Sequence, residues 1–350
     1  MENNADKISI NNSPFNLKLL CELTKSSYGN YDLDNTFAVF KTFDNLLYLI
    51  YSTKTKSIIC LDLENKQVIN EIKNHHKKHL SNLRHFFDEI NKRDLIISIS
   101  DRDNNVRLWN VKTWDCILNI PAINNIGYIC SACIIRDSNE NYLISSNCSM
   151  FHDNDDSEPL KIFNFKGDKI KEIKESNEKT FFVDTYYDIK TSKNYIITGN
   201  NNYLKSYDYK KNELFHKYFD SDTGVHISII INEDKEIIRL IESCSDGNIR
   251  IWNFHSAELL SKIKVDDDWL FGICLWNNDY LFVACKDKII RLIQLKDGLI
   301  VKYLEGHQHG IFSMKKINIP KYGECLLSQG YDIDQIKLWV NEDYVSYLGN

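Results

Sequence analysis

The stretch Ile249-Arg250-Ile251-Trp252-Asn253, which follows an Asp246-Gly247 turn signal, decides the fold of this chain. Two close copies occur elsewhere, Val106-Arg107-Leu108-Trp109-Asn110 and Ile336-Lys337-Leu338-Trp339-Val340. In each copy a basic residue stands between apolar residues, and this alternation is typical of a β-strand whose two faces meet different surroundings. Recurrence of one strand at distant positions predicts a repeat architecture.

Four weaker copies complete the set, at 58–62, 160–164, 204–208 and 289–293. We call the residue at the tryptophan position of each copy its anchor. The anchors are Leu61, Trp109, Phe163, Tyr207, Trp252, Ile293 and Trp339. Subtraction of successive numbers gives spacings of 48, 54, 44, 45, 41 and 46 residues. A four-stranded propeller blade takes ~40–45 residues, so the spacing predicts seven blades.

Short β-branched and aromatic runs, separated by Asn, Asp and Gly, subdivide each unit. In the fifth unit they predict strands at 225–231, 236–243, 248–254 and 258–265. Residues 16–24 resemble the fourth strands, so we expect an amino-terminal strand to close the ring, with 344–348 as the rival. We therefore expect a disordered or extended tail at 1–14 and a single domain at 15–350.

With these motifs, the chain resembles a divergent member of the WD40-repeat family over roughly residues 15–340. The resemblance implies an all-β, seven-bladed β-propeller of four-stranded antiparallel blades. It also implies a structural hydrogen-bonded set in each blade, made by a His before the first strand, a Ser or Thr in the second, an Asp in the next turn and the Trp. The matching residues are His307, Ser328, Asp332 (with Asp334 as fallback) and Trp339 in unit seven, His76, Ser98 or Ser100, Asp103 and Trp109 in unit two, and Ser243, Asp246 and Trp252 in unit five, which lacks the His.

The basic residue two positions before the anchor needs a separate explanation, because it interrupts an apolar strand. Since side chains alternate along a strand, we expect the apolar positions to pack between blades and the basic one to look outward or into a rim.

Composition excludes several classes of function. The net charge is -6, with no basic surplus of the kind that a nucleic-acid backbone demands, so we expect no nucleic-acid partner. Apolar stretches are strand-sized and no secretory signal is recognisable, so we expect no membrane partner and a cytoplasmic location, with the nucleus as alternative. In such a location we expect the ten cysteines to be reduced thiols.

Candidates for chemistry are few. A lone CxxC spans Cys130 to Cys133, and His75, His76 and His79 lie close in sequence, but neither makes a complete metal-ligand set. The acidic runs at 153–156 and 266–268 lack the alternation of a calcium loop. Phosphate-loop, dinucleotide and hydrolase motifs are absent. We therefore expect no cofactor, no metal and no catalysis.

A partner site is expected where loops that join the blades meet the first strands. Aligning the units on their anchors places these residues there: Trp269 with Asp268 beside it, Tyr128, Phe181, His226, Phe312 and His79. Aromatic residues dominate interface hot spots, and the carboxylates beside Trp269 favour a basic peptide. The leading hypothesis is a non-catalytic scaffold that binds a peptide or protein partner on this face. The alternatives are a permanent structural subunit of a large assembly and an enzyme built on a propeller.

Overall fold

The computed structural model describes most of the chain. The described residues are 14–24, 37–53, 57–73, 76, 80–100, 105–121, 128–148, 159–174, 180–200, 203–220, 226–233, 237–330 and 336–342. They form 28 β-strands, arranged as seven sheets of four antiparallel strands each. A short 3-10 helix, Pro14–Asn16, precedes the first strand. The prediction of an all-β, seven-bladed propeller is confirmed.

The strands follow one another blade by blade, with β1 (Leu17–Thr24) set apart at the amino terminus. Blades one to three are β2 Phe37–Lys41, β3 Leu47–Ser52, β4 Ile58–Asp62, β5 Gln67–Ile72; β6 Asn82–Asp88, β7 Arg93–Ser100, β8 Asn105–Asn110, β9 Cys116–Pro121; β10 Tyr128–Asp137, β11 Glu140–Cys148, β12 Leu160–Asn164, β13 Lys169–Ile173. Blades four and five are β14 Phe182–Asp188, β15 Lys193–Gly199, β16 Leu204–Asp208, β17 Glu213–Tyr218; β18 His226–Glu233, β19 Ile238–Cys244, β20 Asn248–Asn253, β21 Leu259–Lys264. Blades six and seven are β22 Leu270–Leu275, β23 Tyr280–Cys285, β24 Ile290–Gln294, β25 Ile300–Leu304; β26 Ile311–Ile319, β27 Gly323–Gly330 and β28 Ile336–Asn341.

The ring is closed by the amino-terminal strand. β1 pairs antiparallel with β28, so that Leu19 lies opposite Trp339 and Leu17 opposite Asn341. Blade seven therefore takes its outer strand from the start of the chain, and its edge against β28 is paired. The rival strand at 344–348 lies outside the described residues.

Each anchor lies on the third strand of its blade and marks the same irregularity. Opposite every anchor the outer strand carries one extra residue, a β-bulge: Ile69, Ile117, Ile170, Phe215, Leu260, Val301 and, on β1, Leu20. A bulge sharpens the local twist of a strand pair. The anchor motif therefore identifies where each outer strand bends as well as where a blade lies.

The core consists of seven apolar clusters, one between each pair of neighbouring blades. Trp252 packs in the cluster between blades four and five, and Trp339 in the cluster between blades six and seven. Stacking of blades is thus what buries the apolar face that a single four-stranded sheet would expose.

The antiparallel order gives the ring two different faces. The loop face carries the second-to-third-strand turns and the connections to the next blade, for example 245–247 and 265–269. The turn face carries the first-to-second and third-to-fourth-strand turns, for example 89–92 and 209–212. First strands of neighbouring blades, such as β22 and β26, contact each other around the central channel.

Candidate interaction site

Blades seven and two contain the expected polar set in part. The Trp339 indole N–H donates to Oγ of Ser328 at 2.7 Å, and Nε2 of His307 lies 2.6 Å from the same oxygen. An indole nitrogen can only donate, so the Ser328 hydroxyl hydrogen is available to His307. Burial lowers the pKa of His307 to about 3, with a smaller contribution from Lys337, and the ring is therefore neutral near pH 7.

The same arrangement recurs in blade two. Ser98, not Ser100, accepts from Trp109 at 2.8 Å and lies 2.9 Å from Nε2 of His76. The expected acidic members, Asp103 and Asp332 with its fallback Asp334, lie outside the described residues. The described part of the set is buried in both blades and fixes the second strand to the third.

In blade five, the indole N–H of the anchor tryptophan has a different partner from the expected one. The Trp252 indole N–H donates to Oε1 of Glu242 at 2.8 Å, so Glu242 and not Ser243 is the equivalent of Ser98 and Ser328. The register explains this: Glu242 pairs with Arg250, as Ser328 pairs with Lys337. Ser243 is one residue further and faces the other side of the sheet, where its Oγ reaches the carbonyl of Phe271 at 3.4 Å.

Of the two positions expected for the basic residue before the anchor, outward or into a rim, the outward one is wrong for blade five. Arg250 is only 1 % exposed and is held by two carboxylates, Asp246 at 2.6 Å and Asp220 at 2.9 Å. Burial alone would raise the pKa of Asp220, but hydrogen bonds from Lys262 and Arg250 outweigh it and lower the pKa to about 2. Asp246 therefore binds Arg250 and not Trp252. Because Arg250 also binds Asp220, it links the 245–247 turn to the loop that precedes blade five.

Blade six repeats this arrangement of an arginine between two aspartates. Its arginine occupies a cluster of side chains that are spaced closely enough to hold a metal ion. Asp266, Cys285 and Asp287 place their ligand atoms within 4.8 Å of one another. Arg291 contacts both carboxylates at 2.6 Å, so the chain supplies its own cation there. Burial raises the pKa of Cys285 to about 12, which keeps the thiol protonated and a poor ligand. This cluster is best explained as a structural ion-pair network.

Wherever the predicted partner residues are described, they lie at or next to the start of a first strand. Tyr128 and His226 begin β10 and β18, but their side chains are not described, and His79 lies outside the described residues. Phe181 directly precedes β14 and is partly buried. Among the described positions, Trp269 and Phe312 are the two for which ring contacts are described.

Trp269 and Phe312 are joined by a third aromatic residue that the sequence alignment missed. The ring centroid of Phe271 lies 6.0 Å from that of Trp269 and 4.3 Å from that of Phe312. Trp269 is 38 % exposed, Phe312 is partly buried and Phe271 is buried beneath them. We call these three residues the aromatic cluster. It runs along the loop face from blade six to blade seven.

Two inner-strand bulges create this cluster. Phe271 is the unpaired extra residue of β22, and Phe312 is that of β26. Gly272 allows the two strands to approach, because a Cβ there would meet the carbonyl oxygen of Phe312 at 2.6 Å. A sequence pattern of period two cannot reveal a bulge, which is why Phe271 was assigned no role.

The backbone of Trp269 is held by hydrogen bonds at both its N–H and its carbonyl group. Its N–H donates to Oδ1 of Asp268 at 2.8 Å, and its carbonyl accepts from the N–H of Lys286 at 3.1 Å. The hydrogen bond from the Trp269 N–H is the largest cause that lowers the pKa of Asp268; burial opposes it, and Lys286 lowers the pKa further. The exposed indole is therefore presented on a rigid support.

The charges around the aromatic cluster are balanced. Asp268 pairs with Lys286 at 3.2 Å, and Asp267 lies 3.4 Å from Lys264. The acidic run alone suggested a basic peptide, but each of these carboxylates has a lysine from a neighbouring strand or turn. The cluster therefore offers an apolar surface with a mixed-charge rim.

Two other features bear on function. In the channel, Arg84 of blade two reaches across to blade four, donates to the carbonyl of Val183 at 3.0 Å and lies 3.6 Å from Asp184. On the turn face, a groove of about 640 Å³ spans blades two to four, and Tyr187 on its wall is 51 % exposed. The ion pair Lys210–Asp137, at 3.4 Å, bridges this groove from blade four to blade three.

No protein-family model matches this chain, and no curated protein matches it in sequence. No helix in the described part of the chain combines the length and apolarity needed to cross a membrane.

Proposed function

We propose that the chain is a divergent WD40-repeat protein that acts as a non-catalytic scaffold in the cytoplasm or nucleus. Its partner is an extended peptide or a protein loop, bound on the loop face. The observation that carries this proposal is the aromatic cluster, in which an exposed Trp269 contacts the ring of Phe271, and Phe271 in turn contacts the ring of Phe312.

The energetics favour such a surface. Central aromatic residues commonly contribute ≥2 kcal/mol each to an interface. Because Trp269 is held by hydrogen bonds at both its N–H and its carbonyl, binding need not order the loop that bears it, which removes part of the entropic cost of association. The described titratable groups near the cluster form ion pairs with one another, an arrangement suited to a rim and not to proton transfer.

A second candidate, a permanent subunit of a large assembly, is favoured by apolar residues on the outer strands. Val68 on β5, Ile170 on β13 and Tyr303 on β25 are all more than 45 % exposed, and they extend around the outer wall. A permanent partner would cover them. Size-exclusion chromatography with light scattering on the purified chain separates the two: a stable monomer supports the scaffold, and self-association or insolubility supports the subunit.

The test of the scaffold uses peptides selected from a displayed random library against the wild-type chain. Trp269→Ala should weaken their binding at least about tenfold, equivalent to ~1.4 kcal/mol, while leaving the melting temperature nearly unchanged. Tyr187→Ala, an exposed aromatic on the turn face, is the matched control and should bind as wild type. If Tyr187→Ala abolishes binding and Trp269→Ala does not, the site lies on the opposite face.

A further inference from the structure

The indole N–H of Trp269 differs from those of the anchor tryptophans, because it has no acceptor. In blades two, five and seven the anchor indole donates to a buried side chain, as Trp252 does to Glu242. The indole N–H of Trp269 makes no hydrogen bond within the described part of the chain, and the side chain is 38 % exposed. An indole nitrogen can only donate. A ligand that covers Trp269 must therefore supply an acceptor, since a donor that is buried without one weakens binding.

The backbone at Trp269 is already engaged. Its N–H donates to Asp268 at 2.8 Å, and its carbonyl accepts from the N–H of Lys286 at 3.1 Å. A peptide in the β conformation binds by exchanging backbone hydrogen bonds with a free strand edge. At Trp269 the N–H groups of such a peptide would find no backbone acceptor, and the neighbouring carboxylate of Asp268 is paired with Lys286. The position therefore favours a ligand with many acceptors and few donors.

Proline-rich segments have this chemistry. Proline has no backbone N–H, so each proline removes a donor that the site cannot satisfy. In the polyproline II conformation the backbone makes no internal hydrogen bonds, and its carbonyl groups are open to solvent or to a donor on a partner. Aromatic surfaces bind such segments because the rings of proline pack against them. An exposed aromatic ring with an unused N–H matches both parts of this ligand.

The dimensions of the aromatic cluster allow one turn of such a segment to cover it. The ring centroids of Trp269 and Phe271 are 6.0 Å apart, and those of Phe271 and Phe312 are 4.3 Å apart. The rings of Trp269 and Phe312 are therefore separated by no more than about 10 Å. Residues three apart in a polyproline II segment lie on the same side and, at ~3.1 Å per residue, about 9 Å from each other. Two prolines with this spacing can reach both outer rings.

The charges of the rim favour an uncharged ligand. Asp267 lies 3.4 Å from Lys264, and Asp268 lies 3.2 Å from Lys286. A basic ligand would compete with these lysines for the carboxylates, and an acidic ligand would compete with the carboxylates for the lysines. A proline-rich segment leaves both ion pairs intact.

We propose that the aromatic cluster binds a proline-rich segment of a partner protein in the polyproline II conformation. This inference rests on the proposed function of the loop face and specifies the chemistry of its ligand. Two prolines three residues apart lie against Trp269 and Phe312, and the Trp269 indole N–H donates to a backbone carbonyl of the segment. The segment is stiff before binding and the backbone of Trp269 is held in place, so association costs little conformational entropy.

The experiment measures fluorescence anisotropy of labelled peptides with the full chain. The probes are an oligoproline and two peptides of equal proline and alanine content, one with its prolines three apart and one with them two apart. We expect the oligoproline and the peptide with the three-residue spacing to bind, and the other peptide to bind at least about threefold more weakly. Trp269→Phe keeps an aromatic ring but removes the donor, and should weaken binding about three- to tenfold. Trp114→Phe, at a partly buried tryptophan on the turn face, is the matched control and should bind as wild type.

The outcomes separate this proposal from the proposed function. Equal binding of the two spacings, or of wild type and Trp269→Phe, overturns the proline assignment, as does equal weakening by Trp114→Phe. If library-selected peptides bind through Trp269 while none of the proline peptides binds, the ligand is of another class and the loop-face scaffold stands. If Trp269→Ala weakens the binding of neither the selected peptides nor the proline peptides, both proposals are wrong.

Discussion

Replacing Ser328 by Ala should destabilise the protein far more than loss of one hydroxyl suggests. Oγ of Ser328 serves two buried partners, the Trp339 indole at 2.7 Å and Nε2 of His307 at 2.6 Å. The serine is fully buried and Trp339 is nearly so. The substitution therefore leaves two polar groups without the oxygen that joins them.

The magnitude follows from the geometry. An unsatisfied buried polar group costs about 1–3 kcal/mol, so two of them cost roughly 2–4 kcal/mol after some relaxation. The vacancy left by one hydroxyl is smaller than the ~30 Å³ share of a water molecule, so solvent does not replace the lost partner. Such a loss is a large part of the ~5–15 kcal/mol by which domains are stable.

The assay is equilibrium urea unfolding followed by far-UV circular dichroism, with Ser243→Ala as the matched control. Ser243 is equally buried, but its Oγ makes only a 3.4 Å contact with a carbonyl, so its loss should cost below about 1 kcal/mol. If Ser328→Ala and Ser243→Ala shift the unfolding midpoint equally, the shared serine does not hold the blade together.

Three further substitutions test the close backbone approaches at two glycines and the ion pair of Asp220. Gly247→Ala should abolish soluble expression or lower the melting temperature severely, since Gly247 has φ +76° and a Cβ there would meet the carbonyl oxygen of Asp266 at 1.9 Å; a normal melt would contradict this. Asp220→Asn should lose less stability than wild type between pH 4 and 2 in acid titrations. The pKa of Asp220 is about 2 in the folded protein and ~3.9 in the unfolded chain. The contribution of its carboxylate to the free energy of unfolding is therefore complete above pH 4 and is lost as the pH falls through 2. Gly272→Ala should lower the melting temperature and displace Phe312, so that peptide binding weakens even at temperatures where the variant is folded; unchanged binding would refute this.

The repeat predicted the blade positions well because strand periodicity and turn residues are local signals. In blade five the expected strands at 225–231 and 258–265 correspond to His226–Glu233 and Leu259–Lys264. The anchors fell on third strands even where Trp is replaced by Leu or Ile, because the apolar requirement between blades is shared by all seven units.

The polar contacts were harder to predict, since they depend on register and on distant residues. Glu242 was missed because a shift of one residue moves a side chain to the other face of a sheet, and the motif favoured the neighbouring Ser243. Burial of Arg250 depends on Asp220, thirty residues earlier and in the loop before its blade. The role of Phe271 depends on a bulge that leaves no mark in the sequence.

We propose that partners bind the loop face through the aromatic cluster. Hydrogen–deuterium exchange of the chain with and without a selected peptide tests this most directly, because it maps protection without any substitution. We expect slower exchange at 266–272, 286–288 and 310–313, and no change in the turn-face groove at 86–89, 134–138 and 185–192. Protection confined to the turn-face segments, with unchanged exchange around Trp269, would contradict it.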